Sequence, residues 1–278
     1  MTGRRLGLAV VAMSLLAACS TTASNPSVAA STGSAPAASP VQPAALTVFA
    51  ASSLKQAFGD VKTAYEAANP GTTLTFSFDA SSALEAQIAQ GGPADVFASA
   101  DTKNPQKLVD AGLAAGPVTP FAGNRLAIIV PKANPAGVTS PLDLARPGLK
   151  IVAAGDDVPI TKYANQLLDE LAKQPGYPPG LAEKVKAAIV SKEDNVAAVV
   201  AKIALGEGDA AIVYETDARD AASLASIAVP EAANVPASYG AVTVKASSHP
   251  DAAAAFLGWL TGPDGQAILA RHGFLPPS

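Results

Sequence analysis

The sequence predicts an α/β body with mostly parallel sheets. Three observations carry this. Short apolar runs alternate with runs of helical apolar spacing from Leu46 to Phe274, the pattern of strands joined through helices. Turn-forming residues such as Asn69-Pro70-Gly71 and Gly91-Gly92-Pro93 separate them. No repeat of fixed period runs through the chain.

The elements follow in order. Leu46–Ala51 reads as a strand, and Ser53–Asn69 as a helix with apolar positions Leu54, Ala57, Phe58, Val61 and Tyr65. Leu74–Phe78 alternates like a strand, and Ser81–Gln90 is a helix stopped by the glycines that follow. Asp95–Ala98 is a short apolar strand, and residues 104–113 are helical. Residues 125–132 form a strand closed by Pro131, and 141–154 a short helix and a strand. Tyr163, Leu167, Leu168 and Leu171 share one helical face. Residues 194–218 read as helix, glycine-rich turn and buried strand, 237–246 as a late strand, and 249–274 as two helices. Periodicity leaves open whether these elements form one large sheet or two lobes.

Composition narrows the function. The chain has 278 residues, which allows one or two domains, and a net charge of −4. That balance supplies no basic surface for nucleic acid. Cys19 is the single cysteine, and His249 and His272 are the only histidines, so the chain has no internal disulfide and no multi-His or multi-Cys metal site.

The first residues carry Arg4 and Arg5, then an apolar stretch from Leu6 to Leu16, which reads as a secretory signal over 1–18. Leu16-Ala17-Ala18-Cys19 resembles the bacterial lipobox, which implies cleavage before Cys19 and a lipid anchor on its sulfur. Residues 19–45 are poor in anything that could be buried, so a flexible tether is expected there. An extracytoplasmic protein facing solutes is the leading reading.

Three junctions place small polar residues where a helix starts: Ser52-Ser53, Ser81-Ser82, and Asp194-Asn195 before Val196. Taken singly, each is better read as a plain helix cap. Together they suggest an oxyanion cradle, because ligands of open α/β sheets lie at strand carboxyl ends, against helix N-termini that favour anions. A nucleophilic serine needs a base. Lys55 is only weakly placed for that, neither histidine is suited, and no G-x-S-x-G elbow exists. Catalysis is therefore not expected. Tyr214 ends the run Asp209–Tyr214, and its hydroxyl reads equally as a surface tip or as a donor aimed into a cleft.

The pieces VFAASSL, ASSALEAQIAQGGPADVFASAD, GNRLAIIVPK, DDVPITKYA, EDNVAAVVAKIALGEGDAAIVYETDA and FLGWLTGPDGQAILARHGF resemble, in that order, the molybdate-binding proteins of bacterial ABC transporters. The resemblance implies a two-lobed type II periplasmic-binding-protein fold. One lobe would hold 46–125 and 239–278, the other 126–238. It implies a monomer that captures molybdate or tungstate with neutral donors and delivers it to a membrane permease. No cofactor is implied, and molybdenum would enter only as the oxyanion, with no direct protein ligand. Carried over residue by residue, the site is the hydroxyls of Ser53, Ser81 and Tyr214 and the backbone N–H groups of Ile160 and Val196.

The chain departs from that pattern in places. Thr161 stands where the family often has glycine, and Asn195 is an extra residue before the helix at Val196. Asp79 stands where many members have a small residue. A carboxylate beside an oxyanion would repel it, so Asp79 is expected to be paired or turned away. A binding protein of the same fold for sulfate or phosphate is the alternative. A ferric site is weaker, because only five tyrosines exist. A lipid-anchored serine hydrolase is more distant.

Overall fold

The computed structural model describes residues 43–277. The signal, Cys19 and nearly all of the tether lie outside the described residues. The first strand, β1 (Ala45–Ala51), is followed by a 3-10 turn at Ser52–Leu54 and then α1 (Lys55–Ala68). Next come β2 (Thr73–Asp79), α2 (Ser81–Ala89), β3 (Val96–Ser99), α3 (Lys103–Asp110) and β4 (Thr119–Asn124). The chain then passes through β5 (Leu126–Pro131), β6 (Ile151–Ala154), α4 (Pro159–Leu171), α5 (Leu181–Ala187) and β7 (Ile189–Glu193). It continues with α6 (Val196–Ala204), β8 (Ala211–Tyr214), α7 (Glu215–Asp220) and β9 (Leu224–Ile227). It ends with β10 (Ala237–Thr243), α8 (Pro250–Thr261) and α9 (Pro263–Arg271).

Five strands form one sheet in the order β2-β1-β3-β10-β4. The β1 strand pairs in parallel with β2 and β3, and β10 runs antiparallel to both of its neighbours. Strands β8-β5-β9 and β6-β7 make the second layer. A parallel bridge between Ile151 and Ala210 joins β6 to the entry of β8. The resulting order, β7-β6-β8-β5-β9, repeats the directions of the first sheet: three parallel strands, one reversed, one parallel.

The reversed strand in each sheet is the one that has just crossed from the other. β5 follows β4 directly, and β10 enters after β9. A chain that arrives from the carboxyl-end side must run back against the strands that point there. The sheets are thus mixed at the crossover strands and parallel elsewhere.

Each helix buries the face its spacing predicts. On α1 the buried residues are Ala57, Phe58, Val61 and Tyr65, and the Tyr65 ring meets Phe256 and Trp259 of α8 edge-on at 5.0 and 5.2 Å. Gly91 sits at φ +89° and ends α2. A Cβ on Gly92 would lie 2.8 Å from the Gln87 carbonyl oxygen, so the pair of glycines is needed for the chain to turn into β3.

Strands β4, β7 and β9 and helices α5 and α7 were not legible in the sequence. β4 contains Pro120 and Gly123, β7 is an edge strand with exposed Val190 and Lys192, and β9 and α7 span only four and six residues.

The two crossing segments are clasped together. The Asn234 side chain accepts from the Leu126 N–H and donates to the Leu126 carbonyl, both at 2.9 Å. Asn234→Ala should lower the unfolding free energy by about 1–3 kcal/mol, the cost of stranding two backbone groups. Urea denaturation of both proteins measures it.

Candidate functional site

Six strands end at one small cavity. Ala51 closes β1, Asp79 closes β2 and Tyr214 closes β8, while Ala100, Val158 and Val196 follow β3, β6 and β7. Ser52, Ser53, Ala80, Ser81, Pro159 and Ile160 complete the wall. All five residues singled out in the sequence, Ser53, Ser81, Ile160, Val196 and Tyr214, therefore line the same space. None of the lining residues is basic.

The backbone supplies donors because helices begin here. α2, α4 and α6 start at Ser81, Pro159 and Val196, and the first N–H groups of a helix have no intrahelical partner. Pro159 has no N–H, so Ile160 presents the first one of α4. At α6 the Asn195 side chain accepts from the Ala198 N–H at 3.1 Å, an N-cap that leaves the Val196 N–H outside the helix ladder. The positive dipole ends of these helices converge on the cavity.

The three hydroxyls are held so that their protons remain to be donated. Ser81 Oγ accepts from the Ala100 N–H at 3.0 Å, which occupies an acceptor position and leaves its proton free. Ser53 Oγ lies 3.0 Å from Tyr239 Oη. The Asn124 amide donates to Tyr239 Oη at 3.3 Å and to Thr216 Oγ1 at 2.9 Å. With Tyr239 accepting from Asn124, its own proton is available to Ser53, and in that arrangement the Ser53 proton can be offered to the cavity. Tyr214 Oη is the one buried side-chain oxygen or nitrogen without a hydrogen-bond partner among the described residues. Its ring is fixed between Tyr163 and Tyr239, with centroids 6.3 and 5.6 Å away.

Burial pushes the Tyr214 and Tyr239 phenols well above the ordinary range, so both stay protonated and able to donate. That also argues against iron, which needs phenolates. Of the three packed tyrosines only Tyr214 lines the cavity, because Tyr239 is bonded to Ser53 and Tyr163 accepts from the Ser238 N–H at 3.2 Å.

The two other departures are accounted for. The Thr161 hydroxyl donates to the Ala154 carbonyl at 2.9 Å, closing the turn between β6 and α4 rather than adding a donor to the cavity. Asp79 lines the cavity but is paired: its Oδ1 accepts from the Ala80 N–H at 2.7 Å and from the Asn195 amide at 3.0 Å.

Nothing here resembles a hydrolase centre. Ser53 is bonded to Tyr239, Lys55 is exposed on a neighbouring groove, His249 is the exposed N-cap of α8, and His272 meets Asp60 at 3.0 Å. Among the described residues no cluster of three His, Cys, Asp or Glu could hold a metal ion. The Tyr239–Asn124–Thr216 network escaped sequence reading. Asn124 and Tyr239 are more than a hundred residues apart, and Tyr239 sits in an apolar strand like any core aromatic.

Six strand ends, converging helix N-termini and hydroxyls around a cavity with no basic residue in its lining are the arrangement of a type II periplasmic binding protein. Comparison with known proteins is specific. Residues 46–275 match the family described as bacterial extracellular solute-binding protein, and the chain belongs to that family. It is 36% identical over 247 residues to the molybdate-binding protein ModA of Mycobacterium tuberculosis, covering 87% of this chain and 90% of that one. The periplasmic molybdate-binding protein of Azotobacter vinelandii superposes with a TM-score of 0.72 at 26% identity, covering 84% of this chain and all of that one. The sulfate-binding protein SubI of M. tuberculosis shares the fold, with a TM-score of 0.74 at 22% identity over 84% of this chain and 87% of that one. This chain is therefore an extracytoplasmic solute-binding component of transport.

Asp217, on the first turn of α7, accepts from the Tyr214 N–H at 3.3 Å. Its carboxyl is raised to about 7, chiefly by burial, with the N–H opposing and Asp220 adding. A carboxyl raised in the folded state keeps a proton that the unfolded chain releases, so its destabilising effect is absent below the unfolded value and complete above the folded one. The unfolding free energy should therefore fall as pH rises from about 4 to about 7. Asp217→Asn should remove that part of the slope, which denaturation across this pH range will show.

Proposed function

We propose that this protein captures molybdate, and tungstate as well, in an interlobe cleft and delivers it to an ABC permease. The observation that carries the reading is the Tyr214 hydroxyl. A buried, unpartnered donor costs free energy in the protein alone, and it faces the cavity that also gathers Ser53, Ser81, Ile160 and Val196. The names of the relatives 36% and 26% identical supply the ion. A desolvated dianion must be compensated. Here the compensation comes from neutral hydroxyls and helix N-termini, with no fixed cation and no cofactor.

The lobes in this reading are 46–125 with 239–278, and 126–238, closing on the ligand as a hinged pair in a monomer. The lipid on Cys19 and the tether keep the body near the permease. Metabolic labelling with a fatty acid should mark the full-length protein and leave Cys19→Ala unlabelled; label on the variant would remove the anchor from this account.

Isothermal titration with molybdate, tungstate, sulfate and phosphate tests the ligand. Heat with the first two supports it, whereas sulfate or phosphate binding without molybdate overturns it. Ser53→Ala, Ser81→Ala and Tyr214→Phe should each weaken molybdate by about 1–3 kcal/mol, the loss of a hydrogen bond to a charged ligand. Tyr214→Phe should at the same time leave the ligand-free protein as stable or more so, because it removes an unsatisfied oxygen. Unchanged affinity in all three variants would refute the site.

A further inference from the structure

Two of the positions where this chain departs from the molybdate-binding pattern meet. Asp79 ends β2 of the first sheet, and Asn195 is the N-cap of α6, which packs on β6, β5 and β8 of the second. The Asn195 amide uses both of its ends. Oδ1 accepts from the Ala198 N–H and so caps its own helix, while Nδ2 donates to Asp79 Oδ1 at 3.0 Å on the other side of the cavity. The same Asp79 oxygen accepts from the Ala80 N–H, the residue before α2. One carboxylate oxygen thus ties together the starts of α2 and α6, the helices that bring Ser81 and the Val196 N–H to the cavity.

We propose that Asn195 is a positioning residue, a latch that fastens the N-terminus of α6 to Asp79 across the cleft and slows release of the bound anion. The role in release rests on the oxyanion reading above; the tie itself does not. The pairing also explains how a carboxylate is tolerated in the wall of an anion site. Two donors are aimed at it, and one of them is present only while the two sides are together. The latch contributes to closure by a contact between the two sides of the protein, separate from the contacts made by the ligand.

Three variants of the whole protein test this. Asn195→Ser keeps a good helix cap and the same net charge but is too short to reach Asp79. It should release molybdate about ten- to a hundredfold faster, the scale of one hydrogen bond to a charged group. Asn195→Asp keeps the cap and turns a carboxylate on Asp79, so release should be faster still. Asp79→Asn with Asn195→Asp restores one donor and one carboxylate with their places exchanged. It should return the rate to within about twofold of the original, as a recovered pair does in a double-mutant cycle. Release is followed by rapid filtration and elemental detection of molybdenum. An unchanged rate in Asn195→Ser, or an exchanged pair no slower than Asn195→Asp, overturns the latch.

Small-angle scattering of the ligand-free proteins decides the tie without any ligand. Asn195→Ser should have the larger radius of gyration, and equal radii overturn the tie. Failure of the unaltered protein to bind molybdate would sink the oxyanion reading and leave this comparison standing.

Discussion

Strand direction is the constraint on which the rest of the structure depends. Three parallel strands of each sheet, β1 to β3 in one and β6 to β8 in the other, end at the same cavity. Every chain segment that leaves those ends does so at the cavity wall, and a helix begun there points its unpaired N–H groups inward. The reversed strands, β5 and β10, follow from the same fact, since a chain that crosses between sheets at their carboxyl ends has to run back. Antiparallel pairing at these two strands is the geometric consequence of placing one site between two parallel sheets.

Such a site can be electropositive without holding a positive charge. Hydroxyls and amides here are polarised by what lies behind them. Ser81 is backed by the Ala100 N–H, and Ser53 by Tyr239 and then Asn124. A donor behind a hydroxyl, as the Ala100 N–H is behind Ser81, uses an acceptor position and leaves the proton for the cavity. Tyr214 lacks such backing and is instead fixed by ring packing. The phenols of this wall keep their protons near neutrality, because burial holds both well above the ordinary range.

The front of this site was legible in the sequence and the back was not. Ser53 and Ser81 stand between an apolar run and an amphipathic one, a local signal that survives without any fold. Val196 is marked by the polar cap before it, whereas Ile160 was reached only through the family resemblance. Tyr214 terminates a buried run. Asn124, Thr216 and Tyr239 have no such mark, because what defines them is their meeting in space. Asp79 read as a difficulty while seen alone, and only the partner on α6 resolves it. Among the elements, long helices with one apolar face were plain, while β4, β7 and β9 were hidden by proline, exposure and brevity.

Asn124 occupies the last position of β4, and the next residue but one begins β5. It is therefore at the passage from one sheet to the other, and its amide holds Thr216 on α7 and Tyr239 on β10 at once. The same amide stands, through Tyr239, directly behind the Ser53 hydroxyl. The passage between the sheets and one hydroxyl of the cavity wall thus share a single side chain, so a substitution at Asn124 would disturb both at once.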